Sequence, residues 1–314
     1  MNDYAIQTRH LTRYFGRKRV VYDLNLSVPR GSVFGFLGLN GSGKTTTLRM
    51  VLGLIAPSWG SSTILDHDSQ NLPADVRARI GYLAEGHPVH GWMRVQDARA
   101  YQSSFFPKWN NRLFNSVLDF FRVDPKTRAR NMSRGERAGL CLAMTLAPEP
   151  DLLILDDPAI GLDPVARRSL LESMVLATRK SDRTIIFSSH LLADIERMAD
   201  HIAVLDYSIL RAQCSLETFR SCVQQFVLRF EEKPPQLPPL RGLIQCIVRG
   251  NQLRLTLVNV TQETRAALES MRPISIDAAP ISLEDAFVSY LGGSIESTAS
   301  QEISESFEPI GGVK

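Results

Sequence analysis

The sequence predicts an α/β protein with a mixed, mainly parallel β-sheet, a helical lobe and a small C-terminal α+β appendage. Short apolar runs alternate with helical patterns through the first two-thirds of the chain, as in sheets covered by helices on both faces. The stretch at about 88–150 lacks strand-like runs, which indicates a helical lobe. The proline-rich segment Lys233–Leu240 marks a change of composition and predicts an extended linker or edge loop.

Four apolar runs predict the strands of the main sheet. They are Val33–Leu37, Leu152–Leu155, Thr184–Ser188 and Ile202–Leu205. Continuous runs of this kind are typical of parallel strands that are buried on both faces. Helices are predicted between them: Lys44–Leu54 is followed by a proline at position 57, and Arg167–Thr178 follows Pro164.

The second half of the chain predicts further regions. Leu243–Val248 and Gln252–Val258 have the pattern of paired strands around a Gly-Asn turn, and a helix is expected at Thr261–Met271. We therefore divide the chain into a first domain at 1–216, an accessory α+β domain at 217–290 and a tail at 291–314. The tail is rich in Ser and Glu and poor in apolar residues, so we expect it to be disordered.

Composition excludes several classes of protein. The 314 residues are 44% hydrophobic and 22% charged, which is ordinary for a soluble globular protein. The 36 basic and 33 acidic residues give a net charge of only +3, which argues against a nucleic-acid partner. The four cysteines form no Cys-x-x-Cys pair and predict reduced thiols in a cytosolic protein. The N-terminus has no apolar signal region, and no uncharged run is long and apolar enough to cross a bilayer.

Residues 38–45 match the phosphate-binding loop G-x-x-x-x-G-K-[ST] and predict a P-loop NTPase core. Glycines allow successive N–H groups to face phosphate oxygens, and the next helix directs its positive end at them. Lys44 supplies a cation for the β- and γ-phosphates, and the Thr45 hydroxyl can ligate Mg²⁺. The alternative is a glycine-rich turn without a ligand. The predicted phosphate site comprises Gly38, Leu39, Asn40, Gly41, Ser42, Gly43, Lys44, Thr45 and Thr46.

Two carboxylates follow the predicted strand Leu152–Leu155. Asp156 would lie at the strand end, where it can hold Mg²⁺ directly or through water. Asp157 would project differently and could polarise an attacking water molecule. An Asp-Asp-Pro sequence after a strand is also a common turn. Its combination with the phosphate loop favours the metal site.

With these two motifs, five further segments resemble, in order, the nucleotide-binding subunits of ATP-binding cassette (ABC) transporters. The resemblance covers residues 5 to about 215. The segments are the signature Met132–Glu136, the D-loop Gly161–Pro164, the switch histidine in Ser188–His190, the Q-loop position Glu85 after Ile80–Ala84, and an aromatic that stacks on adenine, which is Phe15 or alternatively Tyr14.

The resemblance implies ATP and Mg²⁺ as cofactors and a role for each segment. Ser133 and Gly135 would contact the γ-phosphate that a second, facing cassette holds, and Asp163 would join the nucleotide site. His190 would bridge the γ-phosphate to the facing cassette. Glu85 would meet Mg²⁺ and the attacking water. Asp157 would be the catalytic base, and Thr45 and Asp156 the metal ligands.

Three positions depart from the family pattern. Arg134 replaces the first glycine of the signature, and Glu85 replaces a glutamine, which removes an amide donor. Asp157 replaces a glutamate and is one methylene shorter. In addition, Ser133 and Glu136 form a capping-box pattern for a helix to Leu146, and this role is compatible with anion binding at the helix start.

These residues predict an enzyme, an ATPase that powers export through a separate integral membrane subunit. Within the family, Phe105–Trp109, Asp194–Arg197 and Leu283–Val288 resemble single-cassette subunits of exporters. A second cassette is required, as a homodimer or a heterodimer, on the cytoplasmic face of the cell membrane. Exposed apolar residues from His87 to Met93 and around Trp109 are predicted to seat the membrane subunit.

The sequence leaves two alternatives to this prediction. A nucleotide-gated regulatory cassette with weak or no turnover would follow if the three departures slow the chemistry. A soluble cassette ATPase of translation or DNA repair is disfavoured, because the sequence shows no second cassette, long coiled coil or zinc-binding cysteines.

Overall fold

The computed structural model describes residues 3–179, 183–279 and 281–291, without the side chains of 175–179 and 291. The predicted disordered tail therefore lies, apart from residue 291, outside the described residues. The chain divides into two compact units, residues 1–210 and 211–314. Each unit is described by itself.

The first unit consists of two sheets and seven helices among the described residues. Its strands are β1 (Tyr4–Phe15), β2 (Lys18–Leu24), β3 (Ser27–Pro29), β4 (Val33–Gly38), β5 (Trp59–Ile64), β6 (His67–Asp68), β7 (Ile80–Leu83), β8 (Leu152–Leu155), β9 (Thr184–Ser189) and β10 (His201–Asp206). Its helices are α1 (Lys44–Val51), α2 (Ala74–Arg77), α3 (Val95–Ser103), α4 (Asn111–Phe120), α5 (Arg134–Leu146), α6 (Pro164–Arg179) and α7 (Leu192–Met198). β11 (Ile209–Ser215) spans the division between the units.

The larger sheet contains all four predicted strands. Its order is β11-β10-β4-β9-β8-β7, and the pairs from β10 to β7 are parallel. Every residue of β8 and β9 is buried, which explains why these strands appear in the sequence as continuous apolar runs. The prediction of an α/β core with a mainly parallel sheet is confirmed.

The N-terminal part forms a second, antiparallel sheet that the sequence analysis did not separate. Its order is β2-β1-β5-β6, with β3 also paired to β1. These strands are only partly buried, so they lack the continuous apolar runs by which the core strands were recognised. Leu11 and Leu24 of this sheet share one buried core with Phe36 of β4, Leu48 of α1 and Ile154 of β8.

The helical lobe is present at α3, α4 and α5, within the predicted range 88–150. The predicted helix Lys44–Leu54 is shorter than expected and ends at Val51. Gly53 adopts a left-handed φ of 69°, and the Gly53 N–H donates to the carbonyl of Met50. This glycine ends the helix before the proline is reached.

The second unit contains a four-stranded antiparallel sheet of order β13-β14-β12-β15. Its elements are α8 (Leu216–Cys222), β12 (Val223–Arg229), β13 (Leu243–Arg249), β14 (Gln252–Val258), α9 (Gln262–Ser270), β15 (Ser275–Ala279) and α10 (Leu283–Leu291). β12 was not predicted. Because it pairs with β14, the proline-rich segment Lys233–Leu240 is a connection inside this unit. Within the described ranges, no helix combines the length and apolar character needed to cross a membrane.

Candidate active site

The predicted phosphate loop connects β4 to α1 at the carboxyl edge of the parallel sheet. Gly43 has a φ of 110°, and a Cβ there would lie 2.3 Å from the carbonyl oxygen of Val20. A Cβ on Gly38 would lie 2.5 Å from the Ser42 Oγ and from the Leu205 carbonyl oxygen. The glycines at both ends of the loop are therefore required by the backbone and by its close packing.

Lys44 is buried and folds back over this loop. Its Nζ donates to the carbonyl oxygens of Gly38 at 2.7 Å and Leu39 at 3.1 Å. Burial lowers the pKa of Lys44, and the nearby carboxylates of Asp157, Asp156 and Glu85 oppose this shift. An ammonium has three N–H donors, so one remains to meet a phosphate oxygen.

Asp156 is fully buried at the end of β8. Its Oδ1 accepts hydrogen bonds from Thr45 Oγ1 at 2.9 Å and from Ser188 Oγ at 3.0 Å. Its Oδ2 has no hydrogen-bond partner among the described residues. Burial raises the pKa of Asp156, while the two hydroxyl donors lower it.

A buried carboxylate oxygen without a partner is unfavourable unless a cation or donor completes it. Asp156 and Thr45 together therefore fit a divalent cation. Over the described ranges, no group of three or more His, Cys, Asp or Glu side chains could hold a metal ion without further ligands. This donor set suits a cation that phosphate and water also coordinate.

Asp157 and His190 form a close pair beside this carboxylate. His190 Nδ1 lies 2.8 Å from Asp157 Oδ2, and the Asp157 side chain is only 9% exposed. The backbone N–H of Asp157 donates to Ser188 Oγ at 2.8 Å. An ionised carboxylate only accepts hydrogen bonds, so the proton of this pair belongs on Nδ1 and leaves Nε2 available to a ligand.

Glu85 follows β7 in an exposed turn. β7 is the parallel neighbour of β8, and Leu83 is paired with Leu155. Glu85 and Asp157 therefore leave the same sheet edge at corresponding positions. The Glu85 carboxylate is one of the charges that oppose the lowering of the Lys44 pKa.

The predicted signature begins a helix. Glu136 N donates to Ser133 Oγ at 3.2 Å, and Ser133 N donates to Glu136 Oε2 at 2.8 Å, so the capping box at the start of α5 is confirmed. Arg134 Nη1 donates to the Gly161 carbonyl at 3.3 Å. Within the described part of the chain, no hydrogen bond or ion pair joins Ser133 or Gly135 to the phosphate loop of the same chain.

Asp163 has a structural role in this chain. Its Oδ1 accepts hydrogen bonds from the N–H groups of Val165 at 2.9 Å and Ala166 at 3.0 Å, at the start of α6. Gly135 packs against the same turn, since a Cβ on it would lie 3.0 Å from the Cβ of Ala166. The start of α5 and the D-loop are thus in contact. The contact between Asp163 and nucleotide remains a prediction.

Phe15 and Tyr14 lie at the end of β1, and both are exposed. The guanidinium carbon of Arg13 lies 4.6 Å from the centre of the Phe15 ring. Tyr14 lines an open pocket with Tyr22 and Trp59. The stacking of Phe15, or alternatively Tyr14, on adenine remains a prediction.

The predicted seat of the membrane subunit is wrong in part. His87 and Met93 are 4% and 8% exposed, so they cannot form a docking surface. Trp92 is exposed and stacks with His90 at 6.0 Å between ring centres. Trp109 is half-buried and packs against Phe114. Residues 87–93 form neither helix nor strand, so their sequence has no periodicity that would predict which side chains are buried.

Ser188 is the site residue whose role the sequence analysis missed. Its hydroxyl accepts from the Asp157 N–H and donates to the Asp156 carboxylate, so it fixes both acids. The signal was present, since Ser188 lies next to the end of a strand that pairs directly with the strand before Asp156.

This fold and site define a P-loop nucleotide-binding protein, in which a buried carboxylate and a histidine lie at the same sheet edge as the phosphate loop. Residues 21–160 match the family model described as ABC transporter. The chain is 30% identical, over 311 residues, to the Nod factor export ATP-binding protein I of Rhizobium johnstonii, covering 93% of this chain and 96% of that protein. The chain therefore belongs to the ABC transporter family, as an ATP-binding protein.

Other relatives agree with this assignment. The bacitracin transport ATP-binding protein BcrA of Bacillus licheniformis is 31% identical over 202 residues, which are 64% of this chain and 66% of that protein. A solved ATP-binding subunit of an ABC transporter has a TM-score of 0.63 at 26% identity and covers 69% of this chain and 92% of that one. A dimeric ATP-binding cassette, solved after hydrolysis with ADP and Pi, shares the fold at a TM-score of 0.60 and 16% identity, covering 67% of this chain and 98% of that chain.

Proposed function

We propose that this chain is the ATP-hydrolysing subunit of an ABC exporter and powers transport through a separate membrane-spanning subunit. The observation that carries the proposal is the placement of the Lys44 loop, Asp156, Asp157 and His190 at one sheet edge, with Thr45 bonded to Asp156 and His190 to Asp157. The relative named for Nod factor export supports the direction of transport, and the relative named for bacitracin transport supports a role in transport. We assign the ATPase activity to residues 1–216 and an accessory role to 217–290.

In this proposal the protein positions reactants and stabilises charge, without a covalent intermediate. The loop N–H groups and the Lys44 ammonium hold the β- and γ-phosphates. Asp157 orients and deprotonates the attacking water. The His190 Nδ1–H holds the Asp157 carboxylate in place. A protonated His190 can donate from Nε2 to a γ-phosphate oxygen.

We propose Mg²⁺ as the metal at this site. Asp156 and Thr45 would hold it, and Glu85 is placed at the same sheet edge to join them directly or through water. A bound Mg²⁺ would neutralise the charge that develops on the phosphates. The unpartnered Asp156 Oδ2 is the atom that this ion would complete.

The proposed working unit contains two cassettes. Ser133 and Gly135 stand at the start of α5, and among the described residues neither is bonded to the phosphate loop of its own chain, so we assign them to the nucleotide of a second cassette. We favour a homodimer, with a different second cassette as the alternative. Closure of the two cassettes on bound ATP would pull on the membrane subunit. Hydrolysis of that ATP would let the two cassettes open again.

The seat of the membrane subunit is proposed on exposed aromatics of the helical lobe. Trp92, Tyr101 and Phe105 are exposed, and the rings of Tyr101 and Phe105 meet edge to face at 5.1 Å. Exposed aromatic clusters are typical of protein interfaces. This partner would place the chain on the cytoplasmic face of the cell membrane.

The test is purification from detergent-solubilised membranes, followed by measurement of phosphate release from the isolated complex. We expect an integral membrane protein to accompany the chain, and turnover that Lys44→Ala abolishes. A complex whose phosphate release is the same with Lys44→Ala would refute the proposal.

A regulatory cassette with little turnover is the second candidate. It is favoured by one observation: the Asp157 carboxylate is short, almost buried and already bonded to His190. A misplacement of about 1 Å can lower a rate about a hundredfold. ATP binding without steady-state phosphate release in the complete complex would select this alternative.

A further inference from the structure

His87 is a buried histidine that the mechanism above does not use. It lies in the loop between β7 and α3, two residues after Glu85, and is 4% exposed. Its φ is 51°, which is an uncommon left-handed backbone for a residue with a Cβ. Such a conformation persists only where the surroundings enforce it.

The His87 ring reaches across to the segment that carries the proposed base. Its Nε2 lies 2.9 Å from the carbonyl oxygen of Pro158, the residue after Asp157. A carbonyl oxygen only accepts hydrogen bonds, so Nε2 carries the proton. The bond joins the Glu85 loop to the backbone immediately beyond Asp157.

Asp157 needs this kind of support because its own φ is 42°. A left-handed aspartate costs about 1–2 kcal/mol unless neighbouring contacts hold it. The turn at 157–161 has several such contacts: Ser188 receives the Asp157 N–H, His190 contacts the carboxylate, and Arg134 donates to the Gly161 carbonyl. His87 adds a contact from the loop of Glu85.

We propose that His87 is a positioning residue for ATP hydrolysis, which holds Asp157 in its reactive orientation through the hydrogen bond from Nε2 to the Pro158 carbonyl. The inference rests on the proposed function, in which Asp157 orients the attacking water. His87 touches neither substrate nor metal in this role. Loss of its donor should change the rate of the chemical step and leave nucleotide binding as it is.

Three substitutions separate the hydrogen bond from volume and backbone. His87→Phe keeps a ring but loses the donor. His87→Gln places an amide N–H near the position of Nε2. His87→Asn suits the left-handed backbone, but its amide is one methylene shorter and falls near the position of Nδ1. His67→Phe, in β6 of the other sheet, controls for a histidine-to-phenylalanine change.

We expect kcat of the membrane complex to fall at least tenfold in His87→Phe and His87→Asn, with KM for ATP changed less than twofold. His87→Gln should recover most of the rate. Normal kcat in His87→Phe, or a rate in His87→Asn equal to that of His87→Gln, would overturn the inference. If His87→Phe does not fold, as judged by Tm and ATP affinity, the comparison of kcat between His87→Gln and His87→Asn decides whether the hydrogen bond affects the rate.

A spectroscopic measurement tests the bond without turnover. Long-range ¹H–¹⁵N spectra of the nucleotide-free chain should show the His87 ring protonated at Nε2, with the signal assigned by its loss in His87→Gln. A ring protonated only at Nδ1 would exclude the bond. Failure of the proposed function has a different signature, namely no phosphate release by the wild-type complex or unchanged release in Asp157→Asn.

Discussion

His190 Nδ1 lies 2.8 Å from Asp157 Oδ2, at the ends of the neighbouring parallel strands β9 and β8. The strand pairing itself brings the two side chains together, because Leu155 is opposite Phe187 and each functional residue follows two or three positions later. The Ser188 hydroxyl accepts a hydrogen bond from the Asp157 N–H and so holds the backbone at Asp157 in place. In the proposed function, Asp157 is the base and His190 is the residue that orients it.

The first prediction concerns Asp157. Asp157→Asn should lower phosphate release at least a hundredfold, because general-base assistance is worth about 10² to 10⁴ in rate. ATP affinity should persist, since Lys44 and Asp156 remain. Phosphate release and nucleotide titration check the two parts. Near-normal turnover would exclude Asp157 as the base and direct attention to Glu85.

The length of the Asp157 side chain can be tested separately. Asp157→Glu should keep or raise turnover if the only defect of the aspartate is that its carboxylate lies too far from the attacking water. It should lower turnover if the turn has adjusted to the shorter acid, whose carboxylate is bonded to His190. Comparison of kcat in the two enzymes distinguishes these cases.

The second prediction is that Lys44→Ala abolishes tight ATP binding and leaves the fold intact. Lys44 is not a member of the hydrophobic core, and its ammonium bonds to carbonyls of the loop, so the fold should persist without it. Isothermal titration and a thermal melt measure the two effects. Lys126→Ala, on an exposed loop, is the control for removal of a positive charge. Unchanged affinity in Lys44→Ala would contradict the site assignment.

The extent to which this structure could be predicted depends on how each feature is encoded. The phosphate loop, the Asp156 strand and the Ser133 capping box are local patterns, and each is found where it was expected. β12 and the antiparallel sheet were missed because partly buried strands have mixed polarity. The burial of His87 depends on Pro158, 71 residues away, so no local pattern could show it.

The third prediction concerns the packing of the phosphate loop. Gly43→Ala should destabilise the fold and prevent ATP binding, because its Cβ would lie 2.3 Å from the Val20 carbonyl at a φ of 110°. Gly250→Ala is the matched control, since Gly250 also has a positive φ of 61°, but a Cβ added to it would meet no atom of the described residues within 4 Å beyond its chain neighbours. It should cost only about 1–2 kcal/mol. Equal Tm values for the two variants would contradict the close approach.

The fourth prediction follows from Cys141, whose buried thiol has a pKa raised to about 12. Well below pH 9, the ordinary pKa of a cysteine thiol, the group is protonated in both folded and unfolded chains and has no effect on pH dependence. Between about pH 9 and 12 the unfolded chain loses a proton that the folded chain keeps, so stability falls as pH rises. Cys141→Ala should flatten this part of the curve of unfolding free energy. An identical slope in the variant would show that Cys141 makes no contribution.

The last prediction concerns Ser133 and the second cassette. Asp157→Asn with ATP should form a stable dimer, because closure needs nucleotide and release needs hydrolysis. Adding Ser133→Ala should prevent the dimer, since it removes the hydroxyl proposed to meet the γ-phosphate of the facing chain.

The Ser133→Ala change also removes a helix cap worth about 1 kcal/mol, so it needs a control. Thr261→Ala removes a comparable cap at α9, where Thr264 N donates to Thr261 Oγ1, and should leave the dimer intact. Mass measurement in solution should therefore give about 35 kDa for the double variant with Ser133→Ala and about twice that for the other two proteins. A monomeric Asp157→Asn chain with saturating ATP would contradict the homodimer and indicate that the second cassette is a different protein.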